Sequence, residues 1–167
     1  MMSLSAEQID IKEISENLEK SKNRPSIESR YKFFYNSIAL NNALLPNPSL
    51  LGVKSIGSYA YELDKSVLEE FIDTSIKSEK LYVVEDFDRS IKFTDGKLII
   101  KFLESQNLEE FANNNSLELT SDFSAINTGV FKVQDFSQIE KTILNLQAQK
   151  NIKEIELNTL NPQIQKR

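Results

Sequence analysis

The chain contains no cysteine and no histidine. Without cysteine there is no disulfide framework, no thiol nucleophile and no thiolate metal site. Without histidine the commonest general base is missing, together with the usual zinc and iron ligand sets. Glycine and proline are scarce, at four residues each, and the glycines form no loop that could cradle a phosphate or cofactor. No stretch approaches the ~20 consecutive apolar residues that a helical bilayer crossing requires. No block of Lys and Arg interleaves with aromatics, and the formal charge is −5, so nucleic acid finds no electrostatic footing. A Ser/Lys or carboxylate-pair enzyme is open in principle, but no spacing points to one. The expectation is a non-enzymatic protein without cofactor, metal, nucleic-acid or membrane partner.

What remains is ordinary globular material. Of 167 residues, 40% are apolar and 27% charged, which implies a packed core in one domain or two small ones. Residues 1–12 lack the apolar h-region of a signal peptide, so the chain as it stands reads as cytoplasmic.

The first 45 residues read as a helical arm. Ser5 and Gln8 make a capping-box pattern for a helix over 5–21 with Ile9, Ile14 and Leu18 along one face. Asn23-Arg24-Pro25 interrupts it, and a second helix is expected over about 26–44, where Ile27, Tyr31, Phe34 and Ile38 recur at helical spacing. That stripe is core packing. Leu45-Pro46-Asn47-Pro48-Ser49 is a loop. Residues 50–94 then read as a small α/β segment. It comprises a strand over 58–63, a helix capped by Asp64 that carries Val67, Leu68, Phe71, Ile72 and Ile76, and strands over 81–84 and 90–93. Thr94-Asp95-Gly96-Lys97 is expected to be a hairpin turn joining residues 91–93 to 98–102. Leu63-Asp64 and Leu68-Glu69-Glu70-Phe71 reappear forty residues on as Leu103-Glu104 and Leu108-Glu109-Glu110-Phe111, through duplication or by coincidence between two amphipathic helices.

From residue 95 to 167 the pattern is two strand–helix–strand units. A β-rich run at 97–103 precedes a helix that starts at Ser105 or Asn107, carries Leu108 and Phe111 and stops at Asn113-Asn114-Asn115. Residues 116–120 alternate, 124–128 turn, and Gly129-Val130-Phe131-Lys132-Val133 is a third strand. A helix capped by Ser137 places Ile139, Ile143, Leu144 and Leu146 toward the sheet, and residues 152–158 form the fourth strand. The fold class expected is therefore α+β, a ferredoxin-like βαββαβ antiparallel sheet with two helices on one face and the other face open. A polar tail follows from Thr159.

Three strand motifs carry a resemblance, with a second helix of matching length between the last two. They are Leu98-Ile99-Ile100-Lys101-Phe102, the glycine-led run 129–133, and Ile155-Glu156-Leu157-Asn158 just before the tail. In this order they resemble the prodomain and propeptide-like inhibitor family of subtilisin-like serine proteases, over about residues 96–167. Leu157 departs from the proline usual in that family, residues 121–127 are more polar than its pattern, and residues 1–95 have no counterpart in it.

The resemblance implies a partner and a mode of binding. The open sheet face would dock on two surface helices of a subtilisin-like protease. Glu154 and Glu156, with Glu156 at the family's glutamate position, would meet the helix amino termini, where unpaired N–H groups favour an anion. Solvated strand carboxylates are the alternative for both. Asn158, Leu160, Pro162, Ile164, Gln165, Lys166 and Arg167 would follow as an added strand in the substrate cleft. If Arg167 is a processed end, its guanidinium would fill the primary specificity pocket, with Lys166 next. The chain would then act as inhibitor or folding chaperone, either free-standing or secreted or periplasmic within a longer protease precursor. A general protein-binding module of the immunity or adaptor kind, on the same fold, is the alternative.

Overall fold

The structure, a computed structural model, describes residues 27–72 and 79–162. Within them lie strands β1 (Lys32–Asn41), β2 (Lys54–Ile56), β3 (Tyr59–Glu62), β4 (Leu81–Glu85), β5 (Ile91–Phe102), β6 (Leu117–Phe123), β7 (Thr128–Val133) and β8 (Ile152–Leu160), with helices α1 (Ile27–Arg30), α2 (Leu108–Asn114) and α3 (Ile139–Gln147). The strands form one antiparallel sheet in the order β2-β3-β1-β4-β5-β7-β6, and β8 pairs with β5 off that path. The α+β class is as expected. The helices expected over 105–115 and at 137–147 form as α2 and α3, though Ser137 does not cap α3 but gives its N–H to Asp135 in the 3-10 turn before it. The strands expected around 59–62, 81–84, 117–120, 129–133 and 152–158 are all present.

β5 organises the sheet because it carries partners on both edges. Phe93 stands opposite both Val83 and Leu160, and Leu98 opposite both Phe131 and Leu157. β8 therefore follows one edge of β5, while β4 and β7 share the other, one after the other. The change of partner falls at Asp95-Gly96, where Gly96 has φ 81°. The hairpin expected at Thr94–Lys97 is not formed. The Asp-Gly pair serves the positive-φ demand of an irregularity inside one continuous strand, where register shifts against β8 between Thr94 and Leu98. Thr94 fastens this point: its hydroxyl donates to the Asn158 carbonyl at 2.7 Å and accepts from the Gly96 N–H at 3.1 Å. The hairpin of this region lies one strand earlier, at Asp86–Ser90, closed by Asp86 N–H to Ser90 O at 2.9 Å.

Apolar residues pack in three clusters. The largest joins α2 and α3 to one face of the sheet through Leu108, Phe111, Ile139, Ile143 and Leu146 against Leu98, Ile100, Phe102, Phe131, Ile155 and Leu157. The second holds Ile38, Leu40, Ala60 and Leu68. The third holds Ala39, Tyr61, Val83 and Phe93, with Leu160 against them. β1 thus contributes to clusters on both faces, as a buried interior strand does.

The helix expected over 26–44 is limited to α1, and residues 32–41 are strand. Its supposed stripe scatters: Ile27 and Tyr31 belong to the first cluster, Phe34 to the third and Ile38 to the second. The ring succession Tyr31–Phe33–Tyr35, at 6.1 Å and 6.1 Å between centroids, follows the two-residue period of a strand. The helix expected after Asp64 is a 3-10 turn at Leu68–Phe71, and residues 73–78 lie outside the described residues. Glu62 rather than Asp64 caps it, accepting from the Leu68 N–H at 2.6 Å and the Ser66 hydroxyl at 2.9 Å. The repeated Leu-Glu-Glu-Phe thus forms a 3-10 turn in one copy and the first turn of α2 in the other. Leu144 points to solvent at 54% exposure rather than toward the sheet. The boundary expected at 94–95 falls within β5. The helix expected over 5–21 lies outside the described residues.

Candidate functional site

Side chains alternate across a strand. Because Leu98, Ile100, Ile155, Leu157 and Phe131 face the helices, Ile99, Lys101, Glu154, Glu156 and Val130 lie on the helix-free face. Register arranges that face in cross-strand rows. One row runs Glu156–Ile99–Val130–Ser121, and the next Glu154–Lys101–Thr128–Phe123. A third begins with Lys97–Lys132–Glu118. Apolar Ile99 and Val130 are flanked by Glu156 on one side and Ser121 on the other, with Phe123 in the neighbouring row. Phe123 is 50% exposed, and Ile126, in the turn linking β6 and β7, is 70% exposed.

The carboxylates have unequal surroundings. Glu154 pairs with Lys101 at 3.4 Å, both side chains nearly half exposed, an arrangement worth little by itself in water. The Glu156 carboxyl is held above its ordinary value, first by partial desolvation against the sheet and then by hydrogen bonding to, and repulsion from, the neighbouring Glu154; Lys101 and Arg30 oppose this. A carboxyl in that setting gains from an added donor or positive charge.

Asn158, Leu160 and Pro162 are already engaged within the fold. The Asn158 amide donates to Asp95 at 3.1 and 3.3 Å. Leu160 pairs with Phe93 and packs on the third cluster. Pro162 is buried, and its carbonyl approaches Gly57 so closely that a Cβ there would lie 2.2 Å away. The tail expected from Thr159 is thus strand through Leu160 and packed through Pro162, because β8 continues along the N-terminal half of β5. Ile164, Gln165, Lys166 and Arg167 lie outside the described residues.

Ile99, Lys101, Val130, Phe123 and Ile126 were not singled out as site residues in the sequence. Alternation in β5 is the signal that finds Ile99. It is masked because Leu98-Ile99-Ile100 reads as one buried run. Among the described residues no group of three or more Asp or Glu is placed to hold a metal ion, and no helix is long and apolar enough to cross a membrane. No protein-family model, no curated protein and no solved structure matches the chain.

Proposed function

We propose that this chain is a non-enzymatic protein-docking module whose partner covers the helix-free face of β8, β5, β7 and β6. We further propose that these strands with α2 and α3 follow the ferredoxin-like plan. Their spatial order β8-β5-β7-β6, with α2 between β5 and β6 and α3 between β7 and β8, supports that assignment. The observation that carries the docking role is the row Glu156–Ile99–Val130–Ser121, where an apolar centre adjoins a carboxyl raised above its ordinary value.

Size bears on how the partner must bind. Four strands span roughly 14 Å and residues 154–158 roughly 13 Å, about 200 Å² of bare sheet. A standard interface buries about 800 Å² per partner. The partner therefore also contacts the β6–β7 turn with Phe123 and Ile126, or chain beyond Pro162.

The partner class we propose is a subtilisin-like serine protease, bound in the manner of its prodomains, with inhibition or assisted folding as the outcome. Support comes from the order of the strand motifs and from the exposure of Glu154 and Glu156 on the face that such a partner would need. The segment entering the cleft begins after Pro162, since Leu160 and Pro162 are committed to the fold. The same commitment favours a second reading, an adaptor or immunity-type module that docks by its sheet face without threading a cleft.

Progress curves of a subtilisin with the full chain added separate the two. Slow, tight inhibition that disappears on removing residues 163–167 is expected for the protease reading. Absence of inhibition at any concentration eliminates it. The docking role itself is then tested by placing a photo-crosslinker at Val130 and another at Leu144, on the helix side. Captured partners confined to the helix side would refute it.

A further inference from the structure

β4 and β7 pair with successive stretches of one edge of β5, and where the start of β4 meets the end of β7 lies a cleft of about 590 Å³. That lies within the range of small-molecule pockets, roughly 300–1,000 Å³. Lysines reach it from three places: Lys80 before β4, Lys97 on β5 and Lys132 on β7. Leu81, Val133 and the Tyr82–Phe136 pair, stacked at 3.8 Å and 8°, provide the apolar wall.

The charge balance of this cleft is opposite to that of the chain, whose net charge is −5. Its lining has three ammonium groups and one carboxylate, Asp95. Asp95 is engaged by the Asn158 amide at 3.1 Å and by Lys97 at 3.7 Å. Lys97 and Lys132 are direct register partners, and like charges opposed across a ladder repel. No carboxylate among the described residues lies within ion-pair distance of Lys132. An anion placed between the two ammonium groups converts that repulsion into two charge-assisted contacts.

We propose that this cleft binds a small organic anion, a phosphate or carboxylate group on a flat apolar body. Lys97 and Lys132 bracket the anionic oxygens, Lys80 adds a third positive charge, and Leu81 and Val133 contact the body. Lys97 and Lys132 belong to the third row of the helix-free face, so the anion site borders the proposed docking surface, whereas its apolar wall of Leu81, Tyr82, Val133 and Phe136 lies outside that surface. Anion binding by the isolated chain is read without any protein partner, so failure of one assignment is distinguishable from failure of the other.

The test is a titration of the full chain followed by amide chemical shifts at low ionic strength, with phenyl phosphate, inorganic phosphate and benzyl alcohol as probes. Phenyl phosphate is expected to move the signals of Gly96, Lys97, Lys132 and Val133 saturably. Inorganic phosphate should bind more weakly, and benzyl alcohol more weakly still. Replacing both lysines, Lys97→Gln with Lys132→Gln, should lower phenyl phosphate affinity about tenfold or more. Lys150→Gln, in the turn before β8, should leave it unchanged. Lys132→Gln alone, at an exposed position, should act in the same direction, which keeps the test valid if the double variant unfolds. No saturable response below about 10 mM, undiminished affinity in the lysine variants, or an equal loss in Lys150→Gln would overturn the site.

Discussion

Asp86 offers the sharpest test of the energetics. It follows β4, its side chain is 1% exposed, and two cations converge on it. Arg30 donates from Nε at 2.9 Å and from Nη2 at 3.1 Å, Lys92 donates from Nζ, and the Phe87 N–H donates at 2.8 Å. Burial alone would raise this carboxyl, but the Arg30 and Lys92 hydrogen bonds and the Phe87 N–H outweigh it and lower it to about 2 from 3.8. A shift of that size favours the charged form by about 2–3 kcal/mol. Because the folded value lies below the unfolded one, the contribution is complete above the unfolded value and is lost as pH falls through the folded one. Asp86→Asn keeps the shape, removes the charge, and leaves Arg30 and Lys92 without their shared anion. It should cost about 3 kcal/mol near neutral pH, in the range for breaking one partner of a buried pair. Urea unfolding followed by far-UV circular dichroism at several pH values measures this. The gap between native and variant chains should narrow steadily below pH 4.5 or so and close near pH 2. A gap of constant size across that window would refute the reasoning, since the loss would then come from packing and not from charge.

Gly57→Ala combines a positive φ of 58° with a Cβ only 2.2 Å from the Pro162 carbonyl, so it should destabilise by at least about 2 kcal/mol. It should also speed amide exchange at Thr159 and Leu160; an unchanged urea midpoint would contradict the contact. Ile143→Ala removes a fully buried side chain of the first cluster and should cost about 2–5 kcal/mol. Leu144→Ala, one residue on and 54% exposed, should stay within about 0.5 kcal/mol of the native chain. Similar losses at both positions would mean that α3 is turned differently on the sheet. Glu156→Gln should weaken partner binding by order 1 kcal/mol, about fivefold, if the carboxylate meets a helix amino terminus. An unchanged inhibition constant would leave it a solvated side chain.

The second half of the chain was legible because each element there is amphipathic on its own. α3 buries Ile139, Ile143 and Leu146 along one side, and β7 and β8 alternate cleanly enough to fix which residues face the helices. Alternation in β8 sets Glu154 and Glu156 opposite the buried Ile155 and Leu157, whereas only the resemblance singled them out as binding residues. β1 was illegible for the opposite reason. Residues 37–40 are buried consecutively, since the sheet carries apolar clusters on both sides at that point, and a two-sided strand loses its period. The register of β1 against β4 also shifts between Phe34 and Ala39, the stretch in which the Ser37 hydroxyl accepts from the Val83 N–H at 2.8 Å.

Composition alone removed thiol and imidazole chemistry, and local periodicity determined α2, α3 and the strands that flank them, because those signals reside in residues a few positions apart. Tertiary structure decided what Asp95-Gly96 does and how far β8 extends. An Asp-Gly pair whose glycine takes positive φ suits a hairpin or a bulge equally well. Only the presence of β8 along the far edge of β5 selects the bulge, and with it opens the lysine-lined cleft and ties Leu160 and Pro162 to the N-terminal half of the sheet. Those outcomes depend on pairings between residues sixty or more positions apart, which no local pattern encodes.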